Sequence, residues 1–317
     1  MHDAAHAFRV EVSAVLGPDA TVPELIEPGK LHRFGKRGAS WCKLFIDCRG
    51  GVFGDWREPV THTWSAHDGA AMTRQQRIEV GRQVAAAAAE RESQQRCEWA
   101  ANAERIAELW SKCVPLVPGD PVTLYLKSRG FGGVWPLPGL LRYHRALPYW
   151  HDGRCIGTFP AMVAPLVGPD GRTVALHRTF LTRDGRKADV PSVRKLTAAT
   201  GPLAGACIPL FKPDRGRIGI AEGIETALAA WLLTGAPTVA AYCADNLTAY
   251  CWPAGVQRLM IYGDNDAAGA AAAAALHERA QMSGLHAQVL TPTDPGADWC
   301  DVSAARSTIA TASEGAA

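Results

Sequence analysis

The stretch Arg217-Ile-Gly-Ile-Ala-Glu-Gly223 carries a mostly apolar run into a glutamate and a glycine turn, and an apolar helical pattern follows it. Further along, Arg258-Leu-Met-Ile-Tyr-Gly-Asp-Asn-Asp266 repeats this plan and leads into an alanine-rich stretch. Each unit predicts a buried strand, a turn and a helix. Two such units predict neighbouring strands of a parallel sheet, whose carboxyl ends meet at one edge. We therefore expect Glu222, Asp264 and Asp266 to lie together at that edge.

Three carboxylates brought together would repel one another strongly unless a cation neutralised them. Ligands that are all oxygen suit Mg²⁺ or Mn²⁺, and these ions in turn suit phosphate groups. The sequence therefore predicts a site for Mg²⁺ or Mn²⁺ at this edge of the sheet. The alternative is that the acids are solvated carboxylates in surface turns.

The order of these acids resembles the Toprim domain, which bacterial-type primases, topoisomerases and some nucleases share. The resemblance covers residues 216–304. Glu222-Gly223 matches the family's single glutamate, Asp264-Asn-Asp266 matches its Asp-x-Asp, and Asp298-Trp-Cys-Asp301 resembles the acidic stretch that follows. The resemblance implies an α/β fold with a parallel sheet flanked by helices, and metal-dependent phosphodiester chemistry on nucleic acid.

The resemblance also implies a role for each acid. Asp264 and Asp266 would bind the metal, directly or through water. Glu222 would either complete the coordination or act as general base. Asp298 and Asp301 would hold a second ion, bound to the triphosphate tail of a nucleotide.

Two glycines and one departure from the family pattern complete this part of the chain. Gly223 and Gly269 would let the backbone approach a ligand without a Cβ in the way. Many bacterial primases have an aspartate four residues beyond the glutamate, where this chain has Thr226. Glu225, one place earlier, either replaces that aspartate or lies on the solvent face of the helix.

Charge is distributed unevenly along the chain, although the net charge is only +2. Residues 125–215 contain 14 Lys and Arg against 5 Asp and Glu, whereas residues 216–317 contain 4 against 10. A basic half beside an acidic, metal-binding half suits a phosphate polymer as the ligand. The alternative is chance clustering of surface charge.

Residues 159–211 alternate apolar strands with turns, and their order resembles the strand-rich subdomain that precedes Toprim in bacterial-type primases. The resemblance is closer to the catalytic proteins of phages and plasmids. In that comparison Arg178, Arg194 and Lys195 match basic positions that face template, primer or incoming triphosphate. The alternative is that they are solvated surface charges.

Two other features of the basic region have less specific interpretations. The segment Pro121-Val-Thr-Leu-Tyr-Leu-Lys-Ser-Arg-Gly130 resembles a short helix followed by Arg-Gly that is common ahead of primase catalytic cores. His144 and His177 lie among aromatics and predicted strands, a setting more typical of core histidines than of ligands or bases.

The first part of the chain has a different composition. Residues 21–66 are rich in glycine, aromatics and short apolar runs, which predicts short antiparallel strands. Alternating aromatic and basic residues there are typical of single-strand binding surfaces, or of a small sheet whose aromatics form its core. The predicted regions are a small β-rich N-terminal region (1–66), a long connecting helix (67–115), a basic strand-rich subdomain (116–215), the Toprim domain (216–304) and a flexible tail (305–317).

Several function classes find no support in the sequence. There is no secretory signal and no apolar stretch of the ~20 residues that a membrane span requires, so the nine cysteines are expected to be reduced thiols in a cytoplasmic protein. A P-loop motif is absent, so no motor is expected in this chain. Zinc is not expected, because Cys42 and Cys48 are spaced more widely than structural zinc usually requires, although His62 and His67 lie downstream.

The sequence thus favours a Toprim-type DNA primase of phage, plasmid or other mobile-element origin. Such an enzyme would copy single-stranded DNA into short RNA primers from NTPs, and a separate replicative helicase would recruit it. A metal-dependent nuclease using the same acids is the first alternative. A non-catalytic module that binds nucleic acid is the second.

Overall fold

The computed structural model describes residues 2–55, 61–66, 74–293 and 299–303. The chain forms two compact units, which divide between Glu98 and Trp99. The long helix that the sequence predicts here is present as α2 (Arg74–Ser111). The division between the units falls within this helix. None of the helices in the described ranges combines the length and apolarity needed to cross a membrane.

The first unit contains a four-stranded antiparallel sheet and a helix packed on it. Its elements are α1 (His2–Leu16), β1 (Leu31–Phe34), β2 (Ser40–Leu44), β3 (Gly50–Asp55) and β4 (Thr61–Ser65), and the strands pair in chain order. Phe8 of α1 is fully buried against Phe53 of β3, with the two ring centroids 5.9 Å apart. The helix therefore closes the hydrophobic core of this sheet.

Side-chain packing accounts for the alternation of aromatic and basic residues in this unit. Trp41 and Phe53 are buried in the core. Lys43 forms an ion pair with Glu90 of α2, and the guanidinium of Arg91 lies over the Trp41 ring at 4.8 Å. The pattern at these positions thus reflects a sheet core and its contacts with a helix.

The second unit begins with a five-stranded antiparallel sheet in chain order. Its elements are β5 (Val114–Pro115), α3 (Pro121–Leu126), β6 (Arg142–His151), β7 (Arg154–Val167), β8 (Thr173–Phe180) and β9 (Arg194–Leu196). Helix α3 begins where Asp120 accepts a 2.7 Å hydrogen bond from the N–H of Thr123, and Pro121 occupies the first turn. A π-helical turn, Lys127–Phe131, follows and carries the Arg-Gly pair.

A four-stranded parallel sheet follows in the same unit, in the order β11-β10-β12-β13. Its elements are β10 (Arg217–Ala221), α4 (Ile224–Thr234), β11 (Thr238–Ala240), α5 (Ala244–Ala249), β12 (Arg258–Tyr262), α6 (Ala267–Met282) and β13 (His286–Leu290). Strands β10 and β12 are direct neighbours, with Ile220 opposite Ile261. The predicted α/β fold with a parallel sheet and flanking helices is confirmed.

The two sheets of the second unit share one hydrophobic core. Tyr125 of α3 and Met162 of β7 belong to the same buried cluster as Ala221 of β10 and Leu228 of α4. The backbone at Ile208 also pairs with β11, exchanging hydrogen bonds of 2.7 and 3.0 Å with Ala240. This packing brings α3 and β9 close to the carboxyl end of β10.

A candidate active site at the carboxyl edge of the parallel sheet

Two of the predicted acids line one cleft at the carboxyl edge of the parallel sheet. Glu222 directly follows β10, and Asp264 lies two residues beyond the end of β12. Because Ala221 is paired with Tyr262, the two strands end side by side. The cleft has a volume of about 140 Å³ and is lined by Arg129, His177, Arg194, Ile208, Glu222, Gly223, Ile224, Glu225, Thr226, Tyr242 and Asp264.

The acids are close enough to influence one another electrostatically. The pKa of Glu222 is raised, first because the carboxyl group is partly buried and then because Asp264 and Asp266 carry negative charge nearby. Glu222 and Asp264 thus line the same cleft, and Asp266 lies near enough for its charge to act on Glu222.

Asp266 and Gly269 shape the turn that presents Asp264. Asp266 is the N-cap of α6, where its Oδ1 accepts a 2.7 Å hydrogen bond from the N–H of Gly269. A Cβ at residue 269 would lie only 3.0 Å from the carbonyl oxygen of Asp264. The glycine therefore lets the acidic turn pack onto the first turn of the helix.

Gly223 has a different environment. Its backbone is extended, and a Cβ there would lie 3.6 Å from Thr226 Oγ1, an ordinary contact distance. Among the described residues, no atom lies close enough to exclude a side chain at this position. Since Gly223 lines the cleft, a side chain would occupy the space that a ligand would use.

The donors at this edge suit a hard divalent cation in their chemistry. Within residues 2–55, 61–66, 74–293 and 299–303, no three His, Cys, Asp or Glu side chains are grouped closely enough to hold an ion as they are now arranged. However, the pKa of Glu222 is raised by partial burial and then by the negative charges of Asp264 and Asp266. A cation at this edge would relieve that repulsion, so the residues fit Mg²⁺ or Mn²⁺.

Glu225 is buried, which excludes a place on the solvent face of α4. Its side chain is 5% exposed, and Oε1 accepts hydrogen bonds from Tyr125 Oη at 2.5 Å and from Arg194 Nη2 at 2.9 Å. Burial alone would raise the pKa of Glu225, but the charge of Arg194 and the Tyr125 hydroxyl outweigh it, so the pKa is lowered. Glu225 is therefore an ionised carboxylate held inside the protein.

The pairing of β8 with β9 determines which basic residues reach the cleft. Arg194 lies opposite Thr179, two residues from His177, so Arg194 and His177 share one face of the sheet. Both line the cleft that contains Glu222. Arg194 is thus the one of the three predicted basic residues that the structure places beside the acids.

Arg178 and Lys195 lie opposite each other and face the other side of the sheet. Lys195 donates a hydrogen bond to the carbonyl of Trp150, and its ammonium lies 4.2 Å from the centre of the Tyr149 ring. Arg178 donates to the carbonyl of Leu196, and burial lowers its pKa. Neither side chain lines the acidic cleft.

His177 was expected to be a core residue, and it is buried, but it also lines the cleft. Only 7% of the residue is exposed, and its Nδ1 has no hydrogen-bond partner among the described residues. Burial lowers the pKa of His177 to about 4, so the imidazole is neutral at physiological pH. His144 is also buried, which lowers its pKa.

The last pair of predicted acids lies beyond β13. Asp298 is outside the described residues. Asp301 belongs to a short helical segment, residues 299–303, and is exposed. Trp299 at the start of that segment donates a 3.2 Å hydrogen bond from Nε1 to the carbonyl of Gly263, which holds the segment against the end of β12. Asp301 does not line the cleft itself.

The sequence assigned no role to three residues at this site: Arg129 and Tyr242, which line the cleft, and Tyr125, which contacts Glu225. Tyr125 and Arg129 belong to the segment that resembles one ahead of primase cores, so the signal was present but assigned no side chain. Tyr242 follows β11 with a left-handed φ of 70°, and its N–H donates a 2.7 Å hydrogen bond to the carbonyl of Glu222. A tyrosine in that conformation carries no sequence signature.

Comparison with protein families identifies the acidic part of the chain. The family profile described as "Toprim domain" matches residues 217–308. The profile described as "Domain of unknown function (DUF7146)" matches residues 100–209. The predicted Toprim domain is thereby confirmed, and the strand-rich part before it matches a separate family. A search of curated proteins by sequence gave no match.

Several solved structures are similar to the chain at low sequence identity. A DNA primase domain from Pseudomonas aeruginosa is 16% identical over 51% of this chain and 52% of that domain, with a TM-score of 0.36. The RNA polymerase domain of Mycobacterium tuberculosis primase DnaG is 18% identical over 64% and 67%, with a TM-score of 0.34. The zinc-binding and RNA polymerase domains of Aquifex aeolicus primase are 12% identical over 95% and 80%, with a TM-score of 0.39.

The chain spans about half the length of the Pseudomonas domain that it matches. Similarity at these scores is too low to assign an activity.

Proposed function

We propose that this chain, whose residues 217–308 match the Toprim domain, is a primase that synthesises short RNA primers on single-stranded DNA. The proposal rests on one observation. A single cleft is lined both by acids from the parallel sheet and by the guanidinium groups of Arg129 and Arg194. Acids suit a catalytic cation, and guanidinium groups suit the phosphates of a nucleotide or a primer.

In this proposal Glu222, Asp264 and Asp266 hold Mg²⁺ or Mn²⁺. When bound, the ion lowers the pKa of a primer 3′-hydroxyl and neutralises charge on the transferred phosphoryl group. Asp266 offers the oxygen that does not cap α6. Asp298 and Asp301 are proposed to hold a second ion near the triphosphate.

The basic residues of this site have separate proposed roles. Arg194 and Arg129 neutralise phosphate oxygens inside the cleft. Arg178 and Lys195, on the other face of the antiparallel sheet, are proposed to contact nucleic-acid backbone outside the cleft. His177 is neutral at physiological pH and adds no charge to the floor of the site.

A nuclease would need the acids but no pocket for a triphosphate. The cationic wall of the cleft therefore favours synthesis over hydrolysis. We further propose that the protein serves replication of a phage, plasmid or other mobile element in the cytoplasm, and that a separate helicase recruits it. These points are expectations drawn from the sequence alone.

The proposal is tested by incubating the protein with single-stranded DNA, labelled NTPs and Mg²⁺ or Mn²⁺, and resolving the products on a gel. We expect short oligomers from the wild type and none from Asp264→Asn. Asp214→Asn is the matched control, because Asp214 is exposed and lies near the opposite, amino end of β10. This variant is expected to synthesise primers at the wild-type rate.

Other outcomes of the same assay would change the assignment. Degradation of the template without new oligomers, lost in Asp264→Asn, would favour a nuclease. Binding of DNA that is equally tight in EDTA, with neither product, would favour a non-catalytic module. Synthesis by Asp264→Asn at the wild-type rate would remove the acids from the mechanism.

A further inference from the structure

Arg194 of β9 lines the cleft, and its guanidinium is bonded to Glu225, which also accepts a hydrogen bond from Tyr125. Its Nη2 donates to Glu225 Oε1 at 2.9 Å, and Tyr125 Oη donates to the same oxygen at 2.5 Å. The Glu225 side chain is 5% exposed, whereas the Arg194 side chain is 50% exposed. The carboxylate is thus enclosed, and the guanidinium that it binds opens into the cleft.

The environment of Glu225 does not resemble that of Glu222. The nearby charge acting on Glu222 is mainly that of two carboxylates, whereas Glu225 lies against a cation and a phenol. Arg194 already balances the negative charge of Glu225, and Oε1 already accepts two hydrogen bonds. A carboxylate in this position acts on the guanidinium instead of on a metal ion.

We propose that Glu225 and Tyr125 are positioning residues that fix the guanidinium of Arg194 for the polyphosphate of an incoming nucleotide. The inference rests on the proposed function of the cleft. A guanidinium presents five N–H donors in a planar fork, and the bond to Glu225 uses one of them. Holding this long side chain in place beforehand reduces the conformational entropy that is lost when phosphate binds.

A simpler role for the pair would be structural, with Arg194 serving only as the counterion of a buried acid. The two roles differ in a double variant. Arg194→Met with Glu225→Met removes both charges together, so neither member of the pair is left as an unpaired charge. If Arg194 binds phosphate, the double variant stays deficient in nucleotide binding even when it is fully folded.

The test measures equilibrium binding of inorganic triphosphate and of ATP with Mg²⁺ by titration calorimetry, without any synthesis. Glu225→Gln is expected to weaken both ligands roughly tenfold, and Tyr125→Phe about threefold, since one charge-assisted contact orients the fork. Arg194→Lys is expected to bind more weakly than the wild type but better than Arg194→Met, because it keeps the charge and lacks the fork. Arg258→Gln, an exposed basic residue at the amino end of β12, is the control.

Kinetics add a second measurement. In primer synthesis, Glu225→Gln is expected to raise the KM for NTP and to leave kcat at saturating NTP within about twofold, the pattern of lost ground-state binding. Its requirement for Mg²⁺ is expected to match that of the wild type. Thermal unfolding of each variant establishes that it is folded before binding is compared.

Three results would overturn the inference. The first is triphosphate and ATP affinity in Glu225→Gln equal to that of the wild type. The second is wild-type protein that binds neither ligand. The third is a Mg²⁺ requirement raised in Glu225→Gln at unchanged triphosphate affinity, which would make Glu225 a metal ligand. A wild type that binds triphosphate but makes no primer would instead contradict the proposed function alone.

Discussion

The hydroxyl of Tyr125 donates a 2.5 Å hydrogen bond to the carboxylate of Glu225, although the two residues lie 100 positions apart in the chain. Tyr125 is in α3, between β5 and β6 of the antiparallel sheet, and Glu225 is in the first turn of α4, within the Toprim match. Both residues are buried. One contact therefore joins α3 to α4, the helix that follows Glu222.

Tyr125→Phe removes this bond and leaves the ring in place. Because the acceptor is a buried, ionised carboxylate, we expect the free energy of unfolding to fall by about 1.5–3 kcal/mol. Tyr149→Phe is the matched control, since Tyr149 is fully buried and its hydroxyl accepts a bond from the neutral N–H of Ser192. Urea unfolding of both variants measures the difference. An equal loss in the two would show that the charge of Glu225 adds nothing to the contact.

The clustered acids predict a response to divalent cations. Mg²⁺ or Mn²⁺ at about 100 times its Kd is expected to raise the unfolding temperature of the wild type by about 5 °C or more. Glu222→Gln is expected to lose most of this rise. Without metal it is expected to unfold no earlier than the wild type, because one repelling carboxylate has been removed.

Glu278→Gln is the control for the metal experiment, because Glu278 is an exposed acid on α6. It is expected to keep the whole temperature rise. Differential scanning calorimetry with and without Mg²⁺ gives all the required values. If Mg²⁺ raised the unfolding temperature of Glu222→Gln as much as that of the wild type, the cation would bind at another site.

Because burial lowers the pKa of His177, we expect the protein to lose stability as the pH falls. Its pKa is about 4 in the folded protein, against the ordinary value of 6.5 for histidine, so the unfolded chain takes up the proton first. Protonation of the unfolded state below about pH 6.5 therefore favours unfolding, and the free energy of unfolding falls by about 2 kcal/mol between pH 7 and pH 5. His177→Gln is expected to remove this part of the pH dependence.

His286→Gln, at an exposed histidine of β13, controls for the general effect of removing an imidazole. Urea unfolding at pH 7, 6 and 5 gives the slope for each protein. A wild-type slope that His177→Gln leaves unchanged would contradict a buried, neutral imidazole in the cleft.

The close packing around Gly269 indicates that a side chain at this position would displace the neighbouring acidic turn. A Cβ there would lie 3.0 Å from the Asp264 carbonyl oxygen and 3.2 Å from its nitrogen, so Gly269→Ala forces the acidic turn to move. We expect a loss of about 1–3 kcal/mol in stability and a loss of primer synthesis. Gly139→Ala is the control, since a Cβ at that exposed position meets nothing within 4 Å. Wild-type synthesis by Gly269→Ala would show that the turn needs no close packing.

Local patterns in the sequence were sufficient to predict the parallel sheet and the place where its acids meet. Apolar runs that end in acids determine which residues follow β10 and β12, and neighbouring parallel strands bring those residues to one edge. The Toprim match and the observed topology agree with this prediction. The roles of the individual acids remain predictions.

The rest of the site depends on register and long-range packing, which a single sequence does not contain. Arg178, Arg194 and Lys195 have similar chemistry, and only the pairing of β8 with β9 separates Arg194 from the other two. The burial of Glu225 likewise depends on Tyr125, a residue contributed by a distant helix. Neither fact follows from the residues next to these positions.

The contact between Tyr125 and Glu225 also has a consequence for protein engineering. A chimera that exchanges residues 217–308 alone would acquire a buried acid without the phenol and the guanidinium that satisfy it. The smallest segment that can be transplanted intact must include both α3 and β9. Inheritance of residues 217–308 is therefore tied to that of α3 and β9, and homologous recombination between related genes would preserve them as one block.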